Sequence, residues 1–374
     1  FFVTIRQPIP LESENLMLKE NLIPYMLLVL SLVALFSYND QQKWTPHITD
    51  VNPPAVFMQQ PLQFQAFEKA SGALPIWRQL AEQKPTLLLL SNHPFLLPLN
   101  PATAREALIL SGTGSTSELA EASDHQRSEF FFVSGMAIEL ASQKQWINKL
   151  VWALPVKDEN QQLDPQNFKD QLVTAGILQE HEEASFEATE NYLTGNIRQT
   201  PIIAAELSTL PPLPEPVIVH IDLSYFKPLY KNQIATPLLP QILNTLKILA
   251  AKNLQVLAVT FSYGHLDDQI ALDVRFIGEI LSTLIENPAL LKASLPVNWL
   301  RQNDALYLKN FFKKDEVRDL YLAQEKESPD SAWVKFNLYR SSTEYKKGNL
   351  ALDYLKQAVA LDQMYALEYF NLAE

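Results

Sequence analysis

Two apolar segments of the sequence each end in residues that can bind a metal ion. Residues 86–90 (TLLLL) lead into His93, and residues 217–221 (VIVHI) lead into Asp222. Imidazole and carboxylate groups are ligands of divalent ions, and a bound ion can activate water for hydrolysis. If both segments are strands of one parallel sheet, their carboxyl ends meet at the edge where α/β proteins build their sites. A histidine and an aspartate that follow two such segments therefore indicate metal-dependent hydrolysis at this edge as the chemistry to consider.

The two segments resemble those of an uncharacterised family in the arginase/deacetylase superfamily. Members of that family end one strand in Asp-x-His-x-Asp and a later strand in Asp-x-Asp. In this sequence Ser91 and Phe95 stand at the acidic positions of the first motif, and Ser224 stands at the second acidic position of the other. His93 and Asp222 are the ligand-type residues that remain. The resemblance therefore implies a ligand set reduced to one imidazole and one carboxylate.

The resemblance covers residues 84–286 and depends on several short blocks that follow one another in the family's order. The further blocks are AIE at 137–139, VWALP at 151–155, and TFSYG at 260–264 with the helix predicted after it. The resemblance implies a three-layer α/β fold with a mostly parallel sheet, of the arginase/deacetylase type. We assign this domain to residues 84–290.

A hydrolase of this type needs a hard divalent ion held by several carboxylates and imidazoles, with one position open for water. We therefore predict no catalytic residue and treat His93, Asp222 and Ser224 as vestigial metal positions. His220, on the same strand face as Asp222, and Asp267, beyond the neighbouring strand, are weaker candidates that would complete an unusual shell. A structural role is open for each, as a core histidine for His220 and near a helix N-cap for Asp267. We predict no cofactor, with Mn or Zn as the alternative.

The composition and several short motifs exclude other classes of function. The 374 residues contain no cysteine, which excludes disulfides, thiolate metal sites and a cysteine nucleophile. The net charge of -12 repels a phosphate backbone, so nucleic acid is not an expected partner. Residues 111–117 (SGTGSTS) lack the spacing of a phosphate-binding loop and are predicted to be a flexible loop. Residues 181–183 (HEE) lack the second histidine of a zinc helix and are predicted to lie on a solvated helical face.

Apolar runs alternate with amphipathic stretches in the central part of the sequence, which predicts βαβ units and a mostly parallel sheet. Strands are predicted at 86–91, 130–133, 149–154, 217–222 and 254–261, and helices at 136–146, 237–252 and 267–284. The connection between the last two strands is short, so we expect them to be parallel neighbours.

Residues 22–36 form an uncharged apolar segment near the start of the sequence. Met17 precedes it as in a signal peptide, in which case residues 1–16 lie upstream. The segment is short for a membrane span, which needs roughly 20 residues, and its cleavage positions are poor. We assign residues 1–38 to a signal peptide or an uncleaved membrane anchor, with a buried core helix as the alternative, and residues 39–83 to a linker or N-terminal segment. The expected location is the cell envelope, exported or membrane-anchored.

The C-terminal part of the sequence repeats with the period of a tetratricopeptide repeat. AWVKFNL begins at residue 332 and ALEYFNL begins at residue 366, which is 34 positions later. The same offset relates Trp333 to Trp299, so we expect a degenerate first repeat. We assign residues 298–374 to an all-α repeat segment, with an ordinary helical hairpin as the alternative. We expect the array to continue in a longer product.

Stacked repeats of this kind expose concave surfaces that bind peptides. We therefore predict a non-catalytic arginase/deacetylase-like domain joined to a repeat module that binds a protein or peptide. The chain would contact the membrane through its N-terminal segment if that segment stays uncleaved. The alternative function is a metal-dependent amide or amidine hydrolase with an atypical ligand set.

Overall fold

The computed structural model of the chain describes the protein from residue 53 onwards, with short gaps. The described ranges are 53–123, 132–155, 164–226, 238–264, 272–344 and 348–372. The predicted signal peptide or anchor lies outside them, as does Asp267 with the start of its predicted helix. Within these ranges, no helix is both long and apolar enough to cross a membrane.

A mixed, mostly parallel sheet forms the centre of the described structure, and the predicted α/β class is confirmed. Its strands are β1 (Ala55–Val56), β2 (Phe64–Phe67), β3 (Thr86–Leu90), β4 (Lys149–Leu154), β5 (Glu187–Ala188), β6 (Tyr192–Ile197), β7 (Thr200–Glu206), β8 (Val217–Asp222) and β9 (Gln255–Ser262). Their order is β1-β9-β8-β3-β4-β7-β6-β5, and β2 also pairs with β9. The pairings of β1 with β9, β5 with β6 and β6 with β7 are antiparallel, and the others are parallel.

Helices cover both faces of this sheet. They are α1 (Leu74–Gln79), α2 (Ala104–Thr113), α3 (Thr116–Ser123), α4 (Ala137–Gln143), α5 (Pro165–Thr174), α6 (Leu238–Ala251), α7 (Phe276–Glu286), α8 (Val297–Asn310), α9 (Lys314–Glu327), α10 (Ala332–Glu344), α11 (Gly348–Leu361) and α12 (Glu368–Asn371). In β3, Leu88 and Leu90 belong to a core with α6 and α7, whereas Leu87 and Leu89 belong to a second core with α1 and α4. Since alternate strand residues point to opposite faces, a continuous leucine run suits a strand that is covered on both sides.

The chain connections reverse direction between β3 and β8. After β3 the chain continues to β4 and β7 on one side, whereas after β8 it continues to β9 on the other. Such a reversal creates a crevice at the carboxyl ends of the two strands, where ligands bind in open α/β sheets. Leu90 pairs with Ile221 across the two strands, so the residues that follow both of them lie at this crevice.

Most of the predicted elements are confirmed. The strands predicted at 86–91, 149–154, 217–222 and 254–261 are β3, β4, β8 and β9, and β8 and β9 are parallel neighbours as expected. The predicted helices at 136–146 and 237–252 correspond to α4 and α6. The predicted helical C-terminal segment is also confirmed, by α8 to α12.

Other parts of the chain differ from the prediction. Of the strand predicted at 130–133, Phe132 and Val133 are described, and they form no strand. The helix predicted at 267–284 corresponds to α7, which begins only at Phe276. β1, β2 and α1 lie within residues 39–83, which the sequence analysis assigns to a linker or N-terminal segment. This segment therefore contributes to the same sheet and core.

The prediction of a flexible loop at residues 111–117 is wrong. Helix α2 ends at Thr113 and α3 begins at Thr116, so the connection is very short. The N–H of Glu118 donates to Ser115 Oγ at 3.2 Å, and the N–H of Ser115 donates to the Glu118 carboxylate at 2.6 Å. These reciprocal bonds form a capping box, which the Ser-x-x-Glu spacing encodes. They also lower the pKa of Glu118.

The helices of the C-terminal segment start at regular intervals. Helix α8 begins at residue 297 and α10 at residue 332, 35 positions later, whereas α9 begins at residue 314 and α11 at residue 348, 34 positions later. Trp333 packs edge to face on Phe276 of α7, with ring centroids 5.1 Å apart. Helix α10, which begins the second of these helix pairs, therefore continues the core of the α/β domain.

Arg275 connects three distant parts of the chain. Its guanidinium donates two bonds of 2.8 Å to Glu68, after β2, and one of 3.0 Å to Asp362, after α11. The guanidinium also lies 4.0 Å from the ring centre of Tyr263. Because Arg275 presents a planar fork of donors, it can bind both carboxylates at once. The end of α11 is thereby held against the sheet edge.

Candidate functional site

The crevice between β3 and β8 is closed by hydrogen bonds between the two strand ends. Ser91 Oγ and Ser224 Oγ lie 3.3 Å apart, and the N–H of Asn92 donates to Ser224 Oγ at 3.2 Å. From β4, Trp152 Nε1 donates to the carbonyl of Ser91 at 2.9 Å. Ser91 and Ser224 are fully buried. Both serines therefore bond to protein groups at the position where an α/β protein normally admits a ligand.

Asp222 is fully buried, and protein donors satisfy both of its carboxylate oxygens. Its Oδ1 accepts the N–H of Ser224 at 3.0 Å, and its Oδ2 accepts the hydroxyl of Ser262 from β9. Burial raises the pKa of the Asp222 carboxyl above its usual value, while the bonds from Ser224 and Ser262 and the charge of His93 act in the opposite direction. His93 therefore lies within electrostatic range of Asp222.

His220 extends the same network into the core. Its Nδ1 lies 2.8 Å from Thr260 Oγ1, and its Nε2 lies 3.1 Å from Ser262 Oγ. Burial lowers the pKa of His220 to about 3, so the imidazole is neutral at physiological pH. Trp77 packs edge to face on this ring, with centroids 5.4 Å apart. These contacts match the core-histidine alternative considered for His220.

In its ionised form, Asp222 fixes the directions of the hydrogen bonds that join it to His220 and Thr260. A carboxylate can only accept, so the Ser262 hydroxyl donates to it. Ser262 Oγ then accepts the proton on His220 Nε2, and the unprotonated Nδ1 accepts the hydroxyl of Thr260. With Asp222 ionised, the network therefore selects the Nε2–H tautomer of His220.

Changing Asp222→Asn is expected to reverse this tautomer. The introduced amide nitrogen donates to Ser262 Oγ, so the Ser262 hydroxyl turns to His220 Nε2 and the ring proton moves to Nδ1. Imidazole ¹⁵N chemical shifts at neutral pH show which ring nitrogen carries the proton. The signals that disappear in His220→Gln are those of His220. Asp164→Asn, at the N-cap of α5, is the matched control and should leave the shifts unchanged. Retention of the Nε2–H tautomer in Asp222→Asn would refute this arrangement of hydrogen bonds.

The loop after β3 packs an apolar side chain against His220. Phe95 is 2% exposed, and its ring lies edge to face on His220 with centroids 6.3 Å apart. Its backbone has a φ of 50°, a left-handed conformation that costs a non-glycine residue roughly 1 kcal/mol. Two backbone hydrogen bonds hold the loop, from Ile138 to the Phe95 carbonyl at 3.0 Å and from Leu97 to the Gly135 carbonyl at 2.7 Å.

Arg198 also holds this loop, from the turn between β6 and β7. Its guanidinium donates to the carbonyls of Leu96 and Ile177 and, at 2.8 Å, to the carboxylate of Glu139. The Glu139 side chain is 1% exposed and the Arg198 side chain is 17% exposed, so the carboxylate is buried and its partner is mostly buried. The apolar cover over His220 is therefore fixed by a buried charge pair.

The structure brings together part of the predicted site. Asp222, Ser224 and His220 belong to one network, and His93 is half-buried beside it. Asp267 lies outside the described residues. Within those residues, no three or more His, Cys, Asp or Glu side chains are grouped as a metal ion would require. The oxygens of Asp222 and Ser224 point at protein donors, so this donor set does not fit a divalent ion.

Sequence reasoning assigned no role to Thr260 and Ser262. In the register of the two strands, His220 pairs with Thr260 and Asp222 pairs with Ser262. Polar residues at alternate positions of an otherwise apolar strand share one face. The signal was therefore present in the sequence, but the pairing of β9 beside β8 was needed to interpret it.

The C-terminal helices form a second candidate site. A cleft of about 570 Å³ lies between α7, the turn from α9 to α10, and the end of α11. Its charged residues are Arg275, Glu279, Glu327, Asp330 and Asp362. Arg275 is bound to Glu68 and Asp362, and burial raises the pKa of Glu279. The cleft therefore presents mainly acidic groups beside the aromatic rings of Trp333 and Tyr365.

Comparisons of the chain with protein-family models, with curated proteins and with solved structures found no match.

Proposed function

We propose that the α/β domain is a non-catalytic, arginase/deacetylase-like scaffold that supports a tetratricopeptide-like interaction module in a protein of the cell envelope. The observation that carries this proposal is the closed crevice between β3 and β8. Ser91 and Ser224 bond to each other across it, and Phe95 packs on His220 of the same network. Ser91, Asp222 and Ser224 at the strand ends are fully buried and bonded to protein groups, so they are not available to a substrate.

The chemistry of the crevice supports the absence of hydrolysis. A metal ion makes its bound water a nucleophile near neutral pH only when protein ligands hold the ion and leave one coordination position open for that water. Here Asp222 is fully buried and accepts two protein hydrogen bonds, and His220 is neutral with both nitrogens bonded. A new ligand would have to break this network and displace Phe95.

The C-terminal helices support the interaction half of the proposal. The spacings of 34 and 35 residues between helix starts match the period of repeats that stack into concave peptide-binding surfaces. The acidic groups of the 570 Å³ cleft, beside aromatic rings, favour a basic segment of a partner protein. The apolar residues 22–36 are the basis for proposing a location in the cell envelope.

The alternative remains a metal-dependent amide or amidine hydrolase with Mn or Zn. One observation favours it: His93 is half-buried, and it is close enough to Asp222 for its charge to oppose the rise in the pKa of the Asp222 carboxyl. In this case the crevice would open and His93 and Asp222 would share an ion.

Metal analysis of the purified full chain distinguishes the two functions. After incubation with Mn or Zn and desalting, we expect far less than one equivalent of metal per chain. His93→Ala should leave that content unchanged, and so should the control His181→Ala in an exposed 3-10 turn. One equivalent of metal that is lost in both His93→Ala and Asp222→Ala, but kept in His181→Ala, would establish the hydrolase alternative and overturn the scaffold.

A further inference from the structure

The turn between α8 and α9 exposes two phenylalanine side chains that the fold does not use. Phe312 is 85% exposed and Phe311 is 46% exposed. Phe312 is the most exposed large apolar residue of the described structure. A side chain as exposed as that of Phe312 contributes little to the core, so packing does not explain an aromatic residue at this position.

The backbone of this turn also disfavours phenylalanine. The N–H of Phe312 donates to the Lys309 carbonyl at 3.2 Å, and the N–H of Lys313 donates to the Leu308 carbonyl at 3.3 Å. These bonds form a Schellman motif that closes α8, with Phe312 at the left-handed position usually occupied by glycine. Its φ is 58°. An aromatic side chain at this position costs conformational energy and projects away from the protein.

Three lysines lie close to the two phenylalanines in the sequence, although the chain as a whole has a net charge of -12. Lys309, Lys313 and Lys314 lie within three positions of Phe311 or Phe312. Lys313 pairs with Glu316 at 3.0 Å and Lys314 with Glu344 at 3.5 Å, all four side chains being more than 40% exposed. Such exposed pairs are weak, so these ammonium groups can exchange their partners for other anions.

We propose that this turn, Lys309 to Lys314, is a contact site for an anionic lipid bilayer, with Phe311 and Phe312 inserted at the interface and the lysines at the headgroups. Two aromatic rings bury at most roughly 300–500 Å², whereas a stable protein interface needs about 800 Å² from each partner. A bilayer accepts a small protruding wedge, and each lysine near an anionic surface raises the binding constant about fivefold. The uncharged residues 22–36 of the same chain are a second apolar element of this kind.

A site-specific dye tests the proposal, because the chain contains no cysteine to interfere with labelling. Phe312→Cys and the control Ile109→Cys, which replaces a residue 54% exposed on α2, are each labelled with an environment-sensitive dye in the full chain. They are mixed with vesicles of phosphatidylcholine containing 30% phosphatidylserine. We expect a blue shift and quenching by doxyl lipids for the dye at position 312, reversed by high salt, and neither effect at position 109. The readout is valid even if residues 22–36 hold the chain on the vesicle.

Phe312→Gly provides an independent measurement on the unlabelled chain. We expect at least fivefold weaker partitioning into the anionic vesicles, and a melting temperature that is unchanged or higher because glycine relieves the left-handed strain. Leu350→Ser, at a residue 45% exposed on α11, should not change the partitioning. The proposal fails if the dye at position 312 remains in water on vesicles that bind the chain. It also fails if Phe312→Gly abolishes self-association in solution, which would identify the turn as a protein contact.

Discussion

Changing Arg198→Met is expected to lower the free energy of unfolding by about 3–5 kcal/mol. The substitution leaves the carboxylate of Glu139, 1% exposed, without its cationic partner. It also removes the donors to the carbonyls of Leu96 and Ile177. A buried charge without compensation is among the largest single costs in a folded protein. Urea denaturation of both proteins, followed by circular dichroism, measures the difference.

The same substitution at an exposed pair is the matched control. Arg301 pairs with Glu327 on the protein surface, and Arg301→Met should leave the denaturation midpoint almost unchanged. The double variant Arg198→Met with Glu139→Gln removes both charges and should recover part of the lost stability. If Arg198→Met behaves like Arg301→Met, the buried pair does not hold the loop over His220.

The second large effect concerns His220, which is expected to lower the free energy of unfolding as the pH falls. Burial lowers the pKa of His220 to about 3 in the folded protein, whereas an unfolded histidine titrates near 6.5. As the pH falls below about 6.5, the unfolded state binds a proton that the folded state does not, so the folded state loses stability until about pH 3. The full contribution is of the order of 4–5 kcal/mol, since each pKa unit corresponds to 1.36 kcal/mol.

Denaturation of the wild type and of His220→Gln between pH 7 and pH 4 isolates this contribution. We expect the stability of the wild type to decrease relative to the variant as the pH falls. Asp222 acts in the opposite direction, because its raised pKa favours the folded state at low pH, but it is present in both proteins and largely cancels. A constant difference between the two proteins across this range would show that His220 is not buried in its neutral form.

The position of the candidate site could be predicted from the sequence. The apolar runs of β3 and β8 are bounded by polar residues, and a strand buried on both faces tolerates such runs. The prediction that the residues after both strands meet at one edge depended only on parallel pairing, which the structure has. The closure of the crevice could not be predicted, because it depends on Phe95 and Trp152, whose positions are set by the three-dimensional packing.

The hairpin of β6 and β7 shows why other parts were not predicted. Its two-residue turn consists of Arg198 and Gln199, with φ of 44° and 71°. Such turns usually contain Asn-Gly, because both positions need a left-handed backbone. Here the contacts of the Arg198 side chain with Glu139 and two carbonyls stabilise the conformation. The local signal was therefore missing, since distant residues replace it.

The strands at the two ends of the sheet order have a consequence for aggregation. β5 consists of two exposed residues that include Glu187, and β1 is also a two-residue strand. Long, flat border strands are the usual starting points for amyloid-like growth, because their free amide and carbonyl groups recruit further chains. β5 and β1, one of them carrying a carboxylate, give an incoming chain a short template, and the four-residue β2 also lies along β9. The short border strands of the described sheet therefore disfavour edge-to-edge growth from these two positions.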